Sequence, residues 1–240
     1  MNHMTHLLAI DTSTEACSAA LSIGGEILSR SELAPRRHAE LILPMIESLL
    51  HEARIGRRDL QGIAVGRGPG AFTGVRLAIS IAQGLALGLD LPVVPVSSLA
   101  ALALDAPDDV AHRDAAILAV IDARMGEVYA GAFRRRDDGL IEAICDETVG
   151  PAEKLRLPAD REGNRWSIVG TGWGAYHDAL ALRLPAPPVF ADTARYPQAR
   201  AVLRLAAAQF ENGRGVAPEA ALPVYLRDKV ALTLDEQRAR

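Results

Sequence analysis

The apolar positions follow two kinds of spacing. Residues 7–10 form a continuous apolar run that stops at Asp11, Thr12 and Ser13. That pattern predicts a buried strand feeding a polar turn. Residues 17–23 and 26–33 flank Gly24-Gly25 and predict a hairpin. From residue 38 to 54 the spacing becomes helical, with Leu41, Ile42, Met45, Ile46, Leu49 and Leu50 on one stripe. Pro44 sits inside that stripe, so a kink, or a helix that starts near Leu43, is expected. A strand at 62–65, a glycine-rich loop at 66–74, a helix at 75–89 and a strand at 93–96 follow. The pattern then restarts. A strand at 116–121 ends in Asp122 and pairs with a strand at 127–133. A strand at 166–169 is closed by Gly170-Thr171-Gly172, and a helix at 202–210 stops at Asn212-Gly213.

Three strands, helix, strand, helix, strand is the order of an actin-like or ribonuclease H-like lobe. The unit of strand, acid, turn and hairpin occurs at Asp11 and again at Asp122. We therefore expect an α/β fold of two related lobes with mixed five-stranded sheets. The expected division is 1–100 and 101–240, with the C-terminal segment packing back on the first lobe.

Composition narrows the function classes. Apolar residues make up 49% and charged residues 23%, as in an ordinary globular protein. The net charge is -4 and the pI about 5.9, without the basic stripe of a protein that grips nucleic acid alone. The densest basic run, Arg134-Arg135-Arg136, leads straight into Asp137-Asp138 and reads as a charged hairpin end. Two cysteines without a CxxC exclude a disulfide scaffold. The N-terminal apolar run is too short for a signal peptide or a membrane span, so a cytoplasmic protein is expected.

Catalytic signatures are missing. His51-Glu52 begins like a zinc-protease helix, but Ile55 stands where the second ligand belongs. His3 and His6 are expected in a frayed N-terminus. No G-x-S-x-G elbow is present. No catalytic residue, metal ligand or cofactor is assigned. The loop 66–74 has two readings. Its strand-to-helix position could hold an anion on free N–H groups, which makes Asp11, Thr12, Gly68 and Gly70 weak cofactor-site candidates. Equally, its glycines could let the helix approach the sheet closely.

The helix after that loop has no charge from Leu77 to Leu89. Gly74, Ala78, Ala82 and Ala86 recur every four residues, and so do Ser80, Gly84 and Gly88. Such a helix is either an inner helix covered on all sides or one with a face for a partner. Arg76, Ser80 and Gln83 mark its more polar face. The candidate partner surface comprises Leu41 and Met45 with Arg76, Ser80, Gln83, Gly84 and Leu87.

Five stretches, in order, resemble the TsaB family of bacterial tRNA threonylcarbamoyladenosine biosynthesis proteins. They are Ala9 to Ser18, Gly66 to Arg76, Ile121 to Tyr129, Val169 to Trp173 and Pro223 to Arg227. The resemblance implies a non-catalytic paralogue of the enzyme TsaD, which transfers a threonylcarbamoyl group to N6 of adenosine 37 in tRNAs reading codons that begin with adenine. It implies pairing with TsaD through the first lobe, the ATPase TsaE as a further partner, and TsaC as the source of the threonylcarbamoyl-adenylate. It also implies that tRNA is reached only through the complex, without a membrane. In isolation a homodimer through the same helices is one possible state, and the sequence leaves the oligomeric state open. TsaD carries two metal-ligand histidines just after the strand that residues 93–96 resemble; here Ser98 and Leu102 fill those slots, and neither suits iron or zinc. The competing reading is an actin-like ATPase or sugar kinase. It needs an Asp-x-Gly-Gly loop, and Gly170-Thr171-Gly172 lacks the acid. A peptidase ranks last.

Overall fold

In the computed structural model, which describes residues 5–108, 115–158 and 165–227, strand β1 (Leu7–Asp11) explains the layering. Its successive side chains point to opposite faces. Leu7 and Ala9 enter one apolar cluster, Leu8 and Ile10 another. β2 (Ala16–Ile23) and β3 (Glu26–Leu33) form the expected hairpin. Gly24 and Gly25 turn it with φ of 59° and 88°, which a residue with a Cβ adopts only under strain. α1 (His38–Ala53), β4 (Gly62–Gly66), α2 (Phe72–Leu89) and β5 (Val93–Val96) complete the first lobe. The sheet order is β3-β2-β1-β4-β5. β1 runs antiparallel to β2 and parallel to β4, so the sheet is mixed.

α1 starts at the first residue of its helically spaced stretch, not near Leu43, whereas α2 starts three residues earlier than its spacing predicts. α1 begins at His38 and passes through Pro44. Pro44 lies on the exposed side, where water can solvate the carbonyl that its missing N–H leaves free. α2 takes Phe72, Thr73 and Gly74 from the glycine loop as its first turn. His6 is held rather than frayed: its N–H donates to Gln61 and its ring contacts the Asp59 carbonyl. His3 and His112 lie outside the described residues.

The chain continues with α3 (Ser98–Leu104), capped by Ser97, whose Oγ accepts the Ala100 N–H at 3.1 Å. The second sheet uses β6 (Ala116–Arg124), β7 (Glu127–Arg135), β8 (Ile141–Ala143), β9 (Thr148–Pro151), β10 (Trp166–Val169) and β11 (Phe190–Asp192). α4 (Thr171–Ala175) and α5 (His177–Ala181) fall between β10 and β11, and α6 (Ala199–Glu211) follows. The order is β11-β10-β6-β7-β8, with β9 also on β7. This sheet has six strands rather than the expected five, because nine-residue β7 is long enough to take two short strands end to end.

Five layers result. α1 and α2 cover the outer face of the first sheet. α3 and α6 lie between the two sheets, in one cluster that joins Leu7, Ala9, Ala64 and Val94 to Ile117, Ala119 and Ile121. Trp173 of α4 and Leu180 of α5 pack with Leu118, Val120 and Ile168 on the far face of the second sheet. The basic run is structural. Arg135 is buried and donates to the carbonyls of Leu104, the last residue of α3, and of Ala106 just beyond it, while Arg134 and Arg136 pair with Glu142 and Asp138.

Candidate functional site

Asp11 ends β1 fully buried. Its carboxylate accepts the Ser13 N–H at 2.9 Å, the Ser13 hydroxyl at 2.7 Å and the Ser98 hydroxyl at 3.4 Å. Burial drives its pKa above the usual carboxylate range, against the pull of those hydrogen bonds. The folded state thus favours the protonated acid more than the unfolded chain does. The stability this gives is full below the unfolded pKa of about 3.9 and is lost as pH rises through the folded value. Asp11→Asn should therefore flatten the fall in stability as pH rises. Urea denaturation of both proteins from about pH 4 to pH 8 checks this; parallel curves would refute it.

The glycine loop packs onto the β1–β2 turn. A Cβ on Gly66 would lie 1.9 Å from an Asp11 carboxylate oxygen, on Gly70 2.2 Å from the Ser13 carbonyl oxygen, and on Gly74 2.0 Å from the Thr12 carbonyl oxygen. The Thr12 hydroxyl donates to the Gly74 carbonyl at 2.6 Å. Of the two readings left open by the sequence, this is the geometry of close backbone approach. Gly68 has φ +91° and is backed by the Val224 carbonyl. Of the two positions aligned with metal-ligand histidines, Ser98 is buried against Asp11 and Leu102 lies in the inter-sheet core. These residues do not fit a metal ion.

Asp122 is similarly engaged. It accepts the Tyr176 hydroxyl at 3.0 Å, and the backbone N–H and guanidinium of Arg124, each at 2.7 Å. Arg124 also reaches Glu15 of the first lobe. Between these groups lies a cleft crossed by residues 221–227. This strap splits the cleft in two. One cavity, of about 250 Å³, is lined by Ser13, Thr14, Asp122, Arg124, Tyr129 and Tyr225. The other, of about 710 Å³, is lined by Arg67, Ser97, Phe133, Cys145 and Glu147.

The strap is held along its length. The Gln83 amide donates to the Ala221 carbonyl at 3.2 Å, and the Val224 N–H donates to the Arg67 carbonyl at 2.9 Å. Arg76 Nε donates to the Tyr225 hydroxyl at 2.6 Å, and its guanidinium lies 3.7 Å from the Phe72 ring centroid. Arg227 donates to the Ala123 carbonyl at 3.0 Å and pairs with Glu127.

α2 presents two unlike sides. Gly74, Val75, Ala78, Ile79, Ala82 and Ala86 form its buried stripe. Arg76, Ser80, Gly84 and Leu87 are exposed, Leu87 to 75%. A Cβ on Gly84 or Gly88 would meet nothing within 4 Å. One line of small residues thus packs inward and the other is open. By length and composition α2 could cross a membrane, yet here its inner stripe packs in the cluster with β1 and β4. Gln83 is half-buried and holds the strap rather than standing on the open side. Leu41 and Met45 are half-buried on α1, in the same outer layer. Phe72, Tyr225 and Arg227 are functional candidates that apolar spacing cannot reveal, although Pro223 to Arg227 is one of the five recognisable stretches.

Comparison with known proteins places this geometry. The family described as TsaD, tRNA N6-adenosine threonylcarbamoyltransferase, matches residues 26–233. The tRNA threonylcarbamoyladenosine biosynthesis protein TsaB of Escherichia coli is 43% identical over 227 residues, covering 94% of this chain and 96% of its own length. The TsaB protein of Haemophilus influenzae is 39% identical and covers 96% of each chain. The solved structure of YeaZ from Pseudomonas aeruginosa is 45% identical and superposes with a TM-score of 0.83 over 93% of this chain and all of its own.

Proposed function

The chain belongs to the TsaB proteins of the wider TsaD family, and from that premise we propose that it is a non-catalytic subunit required for threonylcarbamoylation of N6 of adenosine 37. In this reading it binds and activates TsaD on tRNAs reading codons that begin with adenine, and TsaE joins the pair. The observation that carries the proposal is the open side of α2. Ser80, Gly84 and Gly88 leave room for a second helix to approach closely, and exposed Leu87 supplies apolar area beside them. Such a face is self-complementary, so without TsaD the same helices would close a two-fold homodimer. The net charge of -4 supports a tRNA held mainly by the partner.

The strand-end acids favour this reading over an ATPase. Both Asp11 and Asp122 spend their oxygens on donors from the chain itself. The test is reconstitution of tRNA threonylcarbamoylation from TsaC, TsaD, TsaE and this chain, with ATP, threonine and bicarbonate. Product should form with the full set and be lost when the chain is left out. Product from the chain and TsaC without TsaD would overturn the non-catalytic role. An undiminished yield without the chain would overturn the requirement. Steady ATP hydrolysis by the chain alone would favour the kinase-like alternative.

A further inference from the structure

The strap joins three parts of the molecule that could otherwise move apart. Its approach pairs with the edge of the first sheet, where Val93 and Val216 exchange both backbone hydrogen bonds. Its middle lies on the glycine loop through Val224 and Arg67. Its end reaches the β6–β7 turn of the second lobe through Arg227. That turn is tightly specified, since Arg124, Met125 and Gly126 all have positive φ, at 63°, 59° and 81°. Separating the lobes there must break the contacts of Arg227 or pull the strap off the glycine loop and Tyr225 off Arg76.

Arg76 belongs to both systems. It stands one helical turn before Ser80 on the exposed side of α2, and it clasps Tyr225 of the strap. A partner helix laid along Ser80 and Gly84 would exclude water from Arg76. Its hydrogen bond to Tyr225 and its stacking on Phe72 would strengthen as the local dielectric falls. We propose that residues 221–227 are a latch, with Arg76, Tyr225 and Arg227 as positioning residues, through which partner docking on α2 and closure of the cleft stabilise each other. This rests on the reading of α2 as the docking face.

Such coupling is reciprocal by thermodynamic necessity: the factor by which the partner favours closure is the factor by which closure favours the partner. The test uses the full chain and TsaD. Hydrogen exchange at residues 123–127 should slow about tenfold when TsaD binds, and Arg227→Ala should weaken TsaD binding by a similar factor. Arg227 contacts the second lobe and not the open side of α2, so this loss cannot come from a deleted interface contact. Tyr225→Phe, which keeps the ring on Phe72 but loses the hydroxyl, should fall between wild type and Tyr225→Ala. If Arg227→Ala does not fold, Arg227→Met keeps the apolar stem, loses both the hydrogen bond to Ala123 and the ion pair with Glu127, and reads the same quantity. Affinity unchanged within about twofold in Arg227→Ala, or exchange at 123–127 indifferent to TsaD, would overturn the latch. If Ser80→Arg binds TsaD normally, the docking reading itself falls, and the latch with it.

Discussion

Ser80→Arg is expected to leave the melting temperature where it is and to abolish stable binding of TsaD. Ser80 is exposed, and the next position along its line, Gly84, faces open space. An arginine there can extend into water, so the change in stability should stay below about 0.5 kcal/mol. Within a close helix–helix contact the same side chain has no room and its charge no partner. Association should then weaken by several kcal/mol, enough to lose the complex at micromolar concentration. The melt and the TsaD affinity must be measured on one preparation. A collapsed melt would mean that Ser80 is core. An unchanged affinity would mean that TsaD docks elsewhere.

The second large effect concerns stability. Gly74→Ala should destabilise the fold by about 3 kcal/mol or more, because the new methyl group would sit 2.0 Å from the Thr12 carbonyl oxygen. That oxygen belongs to backbone, and the turn that holds it is pinned by the Thr12 hydroxyl on the Gly74 carbonyl. Relief would mean lifting α2 off the β1–β2 turn. For a chain of this size the melting temperature should fall by roughly 6–12 °C. Gly84→Ala is the matched control. It lies in the same helix with nothing within 4 Å, so the better helix propensity of alanine should raise stability by up to about 1 kcal/mol. Equal melting temperatures for the two variants would refute the packing account.

These two glycines show what a sequence can and cannot disclose. Their four-residue spacings are visible in the string of letters, and so is the lack of charge along α2. Which line faces water depends on how the helix is rotated on the sheet, which periodicity leaves open when nearly every position is small or apolar. The rotation turns Gln83 toward the strap and leaves Leu87 bare. For the same reason α3 gives no helical signal: Ser98 to Leu104 contains only one polar residue, so no face stands out. β8, β9 and β11 have three or four residues, too few to show a period. The first five strands and the two helices α1 and α2 were legible because their apolar runs are bounded by glycine, proline or acid. The clasp of Arg76 on Tyr225 joins residues 149 positions apart, and no local rule reaches that far.

The middle layer has a consequence for how the protein is made. Leu7, Ala9, Ala64 and Val94 of the first sheet share their cluster with Ala199, Val202, Leu203 and Ala206 of α6. Synthesis delivers β1 to β5 first and α6 only after the whole second sheet. At 5–20 residues per second, the stretch from Val96 to Glu211 takes on the order of ten seconds to emerge. Throughout that interval one apolar face of the first sheet has no α6 to cover it. The nascent chain is then a natural client for ribosome-bound chaperones, and truncation before Ala199 should yield an aggregating fragment rather than an independent first lobe.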